Sequence, residues 1–135
     1  MKTKNYAEAH SHFQKLINLA KDSNEVSNDV FAESLKLQGD ALVALKRPND
    51  AIPVYSELLE KFEPQRSLES VRFTVGKLMF DRGDIKGAEQ TWKPLQEKQN
   101  NLWGKIASEK LREMQFSQDY NKYIKRIPAM EGKGN

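Results

Sequence analysis

"GDIKGAEQTWKPL", residues 83–95, has a counterpart thirty-seven positions earlier in "KRPNDAIPVYSEL", residues 46–58. Ala51 matches Ala88, Tyr55 matches Trp92 and Leu58 matches Leu95. Residues three and four apart share one side of an α-helix, so each stretch reads as an amphipathic helix. A small, an aromatic and an aliphatic residue line its apolar side.

The same 3.6-residue period extends in both directions. Tyr6, Ala9, Phe13, Leu16, Ile17 and Ala20 predict a first helix over 5–21. A second is expected over about 29–46, with Asp29 or Asn28 as its N-cap. It carries Phe31, Leu35, Gly39, Leu42 and Leu45 on one side, and a glycine inside a helix marks a close contact. Pro48 suits the first turn of a third helix, 48–62, and Pro53 threatens to distort it. Val71, Val75, Leu78 and Met79 mark a fourth, 67–82, ended by "DRGD". Asp84 then caps a fifth, 85–98, in which Pro94 predicts a kink. Trp103, Ile106, Ala107, Leu111 and Met114 predict a sixth over 101–116. "SQDYNKYIKRI", 117–127, reads as a short seventh helix stopped by Pro128, and 128–135 as a flexible tail. The expectation is an all-α chain of seven helices in antiparallel pairs, with no run of alternating residues that would signal a strand.

Composition agrees. A chain of 135 residues is long enough for one continuous core. With 38% apolar and 30% charged residues, seven Gly and five Pro, it has the make-up of a soluble helical protein. Cysteine is absent, which excludes disulfides, thiolate nucleophiles and Cys-ligated zinc, and leaves cytoplasm and bacterial periplasm equally open. No stretch has the roughly 20 apolar residues of a membrane span, and the opening residues lack the apolar core of a signal peptide. The net charge of +3 is concentrated at the end, where residues 101–135 carry seven basic against four acidic side chains. This is small beside the many phosphate neutralisations that nucleic-acid binding demands.

Self-similarity at a period in the thirties, built from helix pairs, is a signature of stacked repeats. In one unit, 29–62, the marker positions are Leu35, Gly39, Leu42, Ala51, Tyr55 and Pro64; in the next, 67–98, they are Gly76, Met79, Gly83, Ala88 and Trp92. On these residues the chain resembles the tetratricopeptide repeat family, in the style of a bacterial helical-repeat protein. Residues 5–21 are similar to the second helix of a preceding unit, with Ala9 and Phe13 at its small and aromatic positions, and 101–127 to closing helices. Three features depart from the pattern: the longer period, Arg72 where the family has an apolar residue, and leucine at 58 and 95 where it has alanine.

The resemblance implies a right-handed solenoid, residues 1–127, whose concave side is lined by the first helix of each pair and binds a protein or peptide. Placed on this sequence, those positions are Glu33, Lys36, Asp40 and Val43, then Ser70, Phe73, Lys77 and Phe80. Phe73 and Phe80 lie off the apolar stripe of their helix and are the expected anchors. Some members clamp a terminal carboxylate with Lys and Asn; Lys36 matches, whereas Asp40 and Thr74 replace the asparagines, which argues against that ligand. The half-unit at the start leaves Tyr6, Phe13 and Ile17 as an uncovered strip for weak self-association or for the rest of a longer repeat protein.

No catalytic, metal or cofactor site is expected. His10 and His12 point about 200° apart on a helix and do not converge on one metal. The glycines form no phosphate loop, and Trp92 and Trp103 belong to the core. Tyr120 and Tyr123, near Lys122, Lys125 and Arg126, belong either to a packed closing helix or to a partner-binding patch. Three readings of function result: a non-enzymatic interaction module, a structural protein that self-associates, and RNA binding through the basic C-terminus.

Overall fold

The computed structural model describes the backbone of residues 2–23, 26–63, 65–98 and 100–134, and the side chains among them from residue 5 to residue 125. Among the described residues there are six helices and no strand: α1 (Lys2–Asp22), α2 (Asn28–Ala44), α3 (Pro48–Phe62), α4 (Glu69–Asp81), α5 (Ile85–Glu97) and α6 (Leu102–Gly134). The chain divides into two compact units, residues 1–91 and 92–135, with α5 contributing to both.

Two of the expected boundaries move for identifiable reasons. The N-cap of α2 is Ser27, whose Oγ accepts from the Val30 amide at 3.2 Å, in place of Asn28 or Asp29. A Ser in extended conformation reaches the third following amide well. The expected sixth and seventh helices are one: α6 has no Gly or Pro from Lys105 to Ile127, and Gln115 Nε2 donates to Asp119 Oδ1 at 3.2 Å across the presumed break. The helix extends beyond Pro128, the expected stop. Asp84 does cap α5, its Oδ1 accepting from the Gly87 amide at 2.9 Å. Both α3 and α5 run through their internal prolines, Pro53 and Pro94.

In the first unit α1 packs on α2, α2 on α3 and α3 on α4. Its core gathers Ile17 from α1, Leu35 and Leu42 from α2, Ile52, Tyr55, Leu58 and Phe62 from α3, and Val71 and Val75 from α4. Phe31 meets Phe62 edge to face, with centroids 5.6 Å apart. Gln38 is fully buried and donates from Nε2 to Gln14 Oε1 at 3.0 Å, a polar tie between α2 and α1. Gly39 faces the Tyr55 ring so closely that a Cβ there would lie 2.3 Å from a ring carbon. Arg72, unexpected at an apolar position, is satisfied: Nε donates to Glu63 Oε2 at 2.8 Å, Nη2 to Glu63 Oε1, and Nη1 to the Thr91 carbonyl at 3.2 Å.

In the second unit α6 leans on the end of α5 through Gly104, where a Cβ would meet the Leu95 carbonyl oxygen at 2.3 Å. Ala107 is buried one turn later, and Gln96 Nε2 donates to Ser108 Oγ at 2.9 Å.

The residues paired at thirty-seven are alike in burial: Ala51 and Ala88, Tyr55 and Trp92, and Leu58 and Leu95 are all at most 3% exposed. Gly39 and Gly76 are buried as well. Pro64, a marker position of the first unit, lies outside the described residues.

The Tyr55 hydroxyl donates to Asp40 Oδ1. Burial first, and then that bond and the negative charge of Asp40, push the phenol well above its ordinary value of 10. The folded state thus holds this proton more tightly than the unfolded chain. Its contribution is complete below pH 10 and is lost as pH rises above it, by up to about 1.4 kcal/mol per pH unit. Denaturation at pH 9 and pH 11 should therefore show a steeper alkaline loss for the wild type than for Tyr55→Phe; equal losses would mean that the phenol ionises freely in the fold.

Candidate partner-binding face

The four positions nominated on α2 follow each other at three- and four-residue spacing, and the helix sets them on one side. Glu33, Asp40 and Val43 are exposed and Lys36 is half-buried. Lys36 Nζ pairs with Asp40 Oδ2 at 3.2 Å, one turn apart. Asp40 thus has two partners, a surface cation through one oxygen and the buried Tyr55 through the other. This side of α2 is fixed to the core beneath it.

On α4 the nominated residues separate. Ser70 and Lys77 are exposed, and Lys77 Nζ pairs with Asp81 Oδ2 at 2.8 Å. A Lys–Asp step like that of α2 thus stands on α4 as well, one turn beyond the place that the thirty-seven-residue period would give it. Such exposed pairs contribute only a few tenths of a kcal/mol each to stability; their use is as fixed charges. Phe80 is half-buried, whereas Phe73 is 8% exposed and belongs to the interior. The expectation that both rings project into a groove is corrected for Phe73: a residue off the α4 stripe still becomes buried when a helix is covered on more than one side.

At the start of the chain Ile17 is also interior, because α1 lies along α2 and covers it. Tyr6 is exposed and Phe13 half-buried. The open apolar strip is therefore smaller than expected. A shallow groove of about 450 Å³ between α1 and α2 is lined by Phe13, Leu16, Val30 and Leu37, with Asp29 and Arg66 paired at its rim.

The sequence reading singles out Tyr120 and Tyr123, as part of a packed closing helix or of a partner-binding patch, and passes over Phe116 and Ile124; all four are exposed on α6. Their spacing is visible in the sequence; taking 117–127 as a separate closing helix conceals that they stand on the free side of a continuous one.

Among the described residues no three His, Cys, Asp or Glu side chains group as metal ligands would, and no helix is long and apolar enough to cross a membrane. No known protein family, curated protein or solved structure matches the chain.

Proposed function

We propose that the chain is a non-enzymatic protein-interaction module of tetratricopeptide-repeat type. It takes a protein or peptide partner along the exposed side of α2 and α4. The observation that carries this reading is the recurrence at thirty-seven residues. Four pairs match in residue type and in burial, as expected of repeated units that each place the same positions in the interior. With Phe73 interior, recognition rests on the Lys36–Asp40 and Lys77–Asp81 steps, on Glu33 and Val43, and on Phe80 as the aromatic anchor.

The test is capture of a partner by the purified full chain, followed by affinity measurement on variants. Phe80→Ala is expected to weaken binding by about tenfold or more with the helical content retained, as loss of an interface anchor does. Phe73→Ala is expected to act on stability instead, costing about 3 kcal/mol as a buried aromatic truncation does. Normal binding by Phe80→Ala together with a Lys36→Glu, Lys77→Glu pair would remove this face from consideration.

A further inference from the structure

The end of α5 and the first turns of α6 border a shallow groove of about 420 Å³, lined by residues of the second unit. The two helices meet at Gly104, where the Leu95 carbonyl leaves no space for a Cβ, and the Gln96–Ser108 hydrogen bond ties the two walls together. Three cations line the groove, Lys98, Lys105 and Arg112, against one carboxylate, Glu109. An excess of two positive charges thus gathers in one concave place of a chain whose net charge is +3. Charge of one sign in a cleft concentrates ligands of the other.

The hydrogen-bonding groups have the same bias. Asn101, Lys105, Ser108 and Arg112 follow each other at four, three and four residues, which sets them within a sector of about 60° on a strip about 16 Å long. Each has a donor to spare. Asn101 Oδ1 accepts from the Trp103 amide at 3.0 Å and leaves the Nδ2 hydrogens; Ser108 Oγ accepts from Gln96 and leaves its own hydroxyl proton. No carboxylate among the described residues pairs with Lys105. Arg112 gives Nη1 to Glu109 Oε2 at 3.1 Å and keeps its other donors, the two side chains being 74% and 59% exposed. Two acceptors stand beside this row: the side-chain carbonyl of Gln96, whose amino group is engaged, and the second carboxylate oxygen of Glu109.

We propose that this groove binds an extended acidic segment of a protein partner, with its carboxylates on Lys105, Arg112 and Lys98 and its main-chain N–H groups on Gln96 and Glu109. Five extended residues cover about 16 Å, the length of the donor strip. A peptide brings donors as well as charge, and so answers both kinds of group in the groove. A nucleic acid fits less: its backbone charge lies on phosphates, which Glu109 repels, and no ring among the described residues lines the groove for a base to stack on. A lone phosphate covers one end of the strip, since Lys105 and Arg112 are rooted two turns apart. The site shares no residue with the face of α2 and α4 and does not rest on the function proposed for that face.

Isothermal titration of the full chain with a capped hexaglutamate peptide tests the proposal. Binding is expected at low ionic strength and should weaken at least about threefold between about 50 and 200 mM salt, as contacts between exposed charges do. Capped hexaglutamine should bind at least about tenfold more weakly than hexaglutamate, and the Lys105→Glu, Arg112→Glu double variant should lose hexaglutamate affinity by a similar factor. Lys15→Glu, Lys86→Glu makes the same change of net charge at exposed positions outside the groove and should keep the affinity within about twofold. Circular dichroism should show the helical content of both variants unchanged. A chain that does not bind millimolar hexaglutamate at low salt overturns the proposal, and so does equal weakening by the two double variants. If inorganic phosphate or single-stranded oligouridylate binds more tightly than hexaglutamate, and Lys105→Glu, Arg112→Glu abolishes that binding, the proposal is overturned and the groove belongs to that anion. None of these outcomes depends on whether Phe80→Ala affects capture of a partner.

Discussion

Trp92→Ala is expected to lower the stability of the chain by about 3–5 kcal/mol, the range found when a buried aromatic is cut back to a methyl group. Trp92 is 0% exposed, and it is the largest of the fully buried side chains. Its removal deletes more apolar surface than any other single truncation here and leaves a void that the neighbouring Ala88 and Leu95, both themselves buried, are too short or too fixed to fill. The urea midpoint should fall accordingly, and Trp92→Phe should recover a substantial part of the loss. A loss below about 1 kcal/mol would mean that the indole is solvated, and that the match of Trp92 with Tyr55 is coincidental.

The second large effect belongs to Tyr55 and Gly39 together. Tyr55→Ala removes a ring that is 3% exposed and should cost about 3–5 kcal/mol. Gly39→Ala should cost about 1–3 kcal/mol for the opposite reason, overpacking, since the added carbon comes within 2.7 Å of three ring atoms. The ring has little room to yield, because its hydroxyl is held by Asp40 and its edges by the core. The two changes share one space, so they should not add. In the double variant the methyl group added at position 39 occupies part of the vacancy, and the combined loss should be at least about 1 kcal/mol smaller than the sum of the single losses. Additive losses would show that the glycine is there for another reason.

Those same residues indicate what a reader of the sequence can see and what stays hidden. The matched pairs, the glycine at the close contact, Asp84 at the cap and the all-helical class follow from local periodicity and from the small set of residues that suit each position. The fate of Phe73 does not follow, because its burial depends on which sides of α4 other elements cover, a tertiary matter that spacing along one helix cannot reveal. Ile17 is the same case at the start of the chain. A boundary between 116 and 117 suggests itself wrongly because the apolar stripe changes side there, which imitates the start of a new helix, while Ser117 is only a weak breaker. Arg72 violates the pattern in sequence and is explained only in three dimensions, by Glu63 from the end of α3 and the Thr91 carbonyl from α5.

Asp40 belongs at once to the outer face of α2 and, through Tyr55, to the interior. Ligand affinity and melting temperature are thereby two readings of one quantity, by the reciprocity that thermodynamic linkage imposes. A partner whose cation takes Asp40 for itself withdraws the acceptor from the buried hydroxyl and binds at the expense of the core, so it gains less affinity and raises the melting temperature less than its contacts suggest. One whose carboxylate draws Lys36 away leaves Asp40 wholly to Tyr55 and loses nothing beneath. Under the function proposed above, partners of opposite charge at this point of α2 would be told apart by the interior of the domain as well as by its surface.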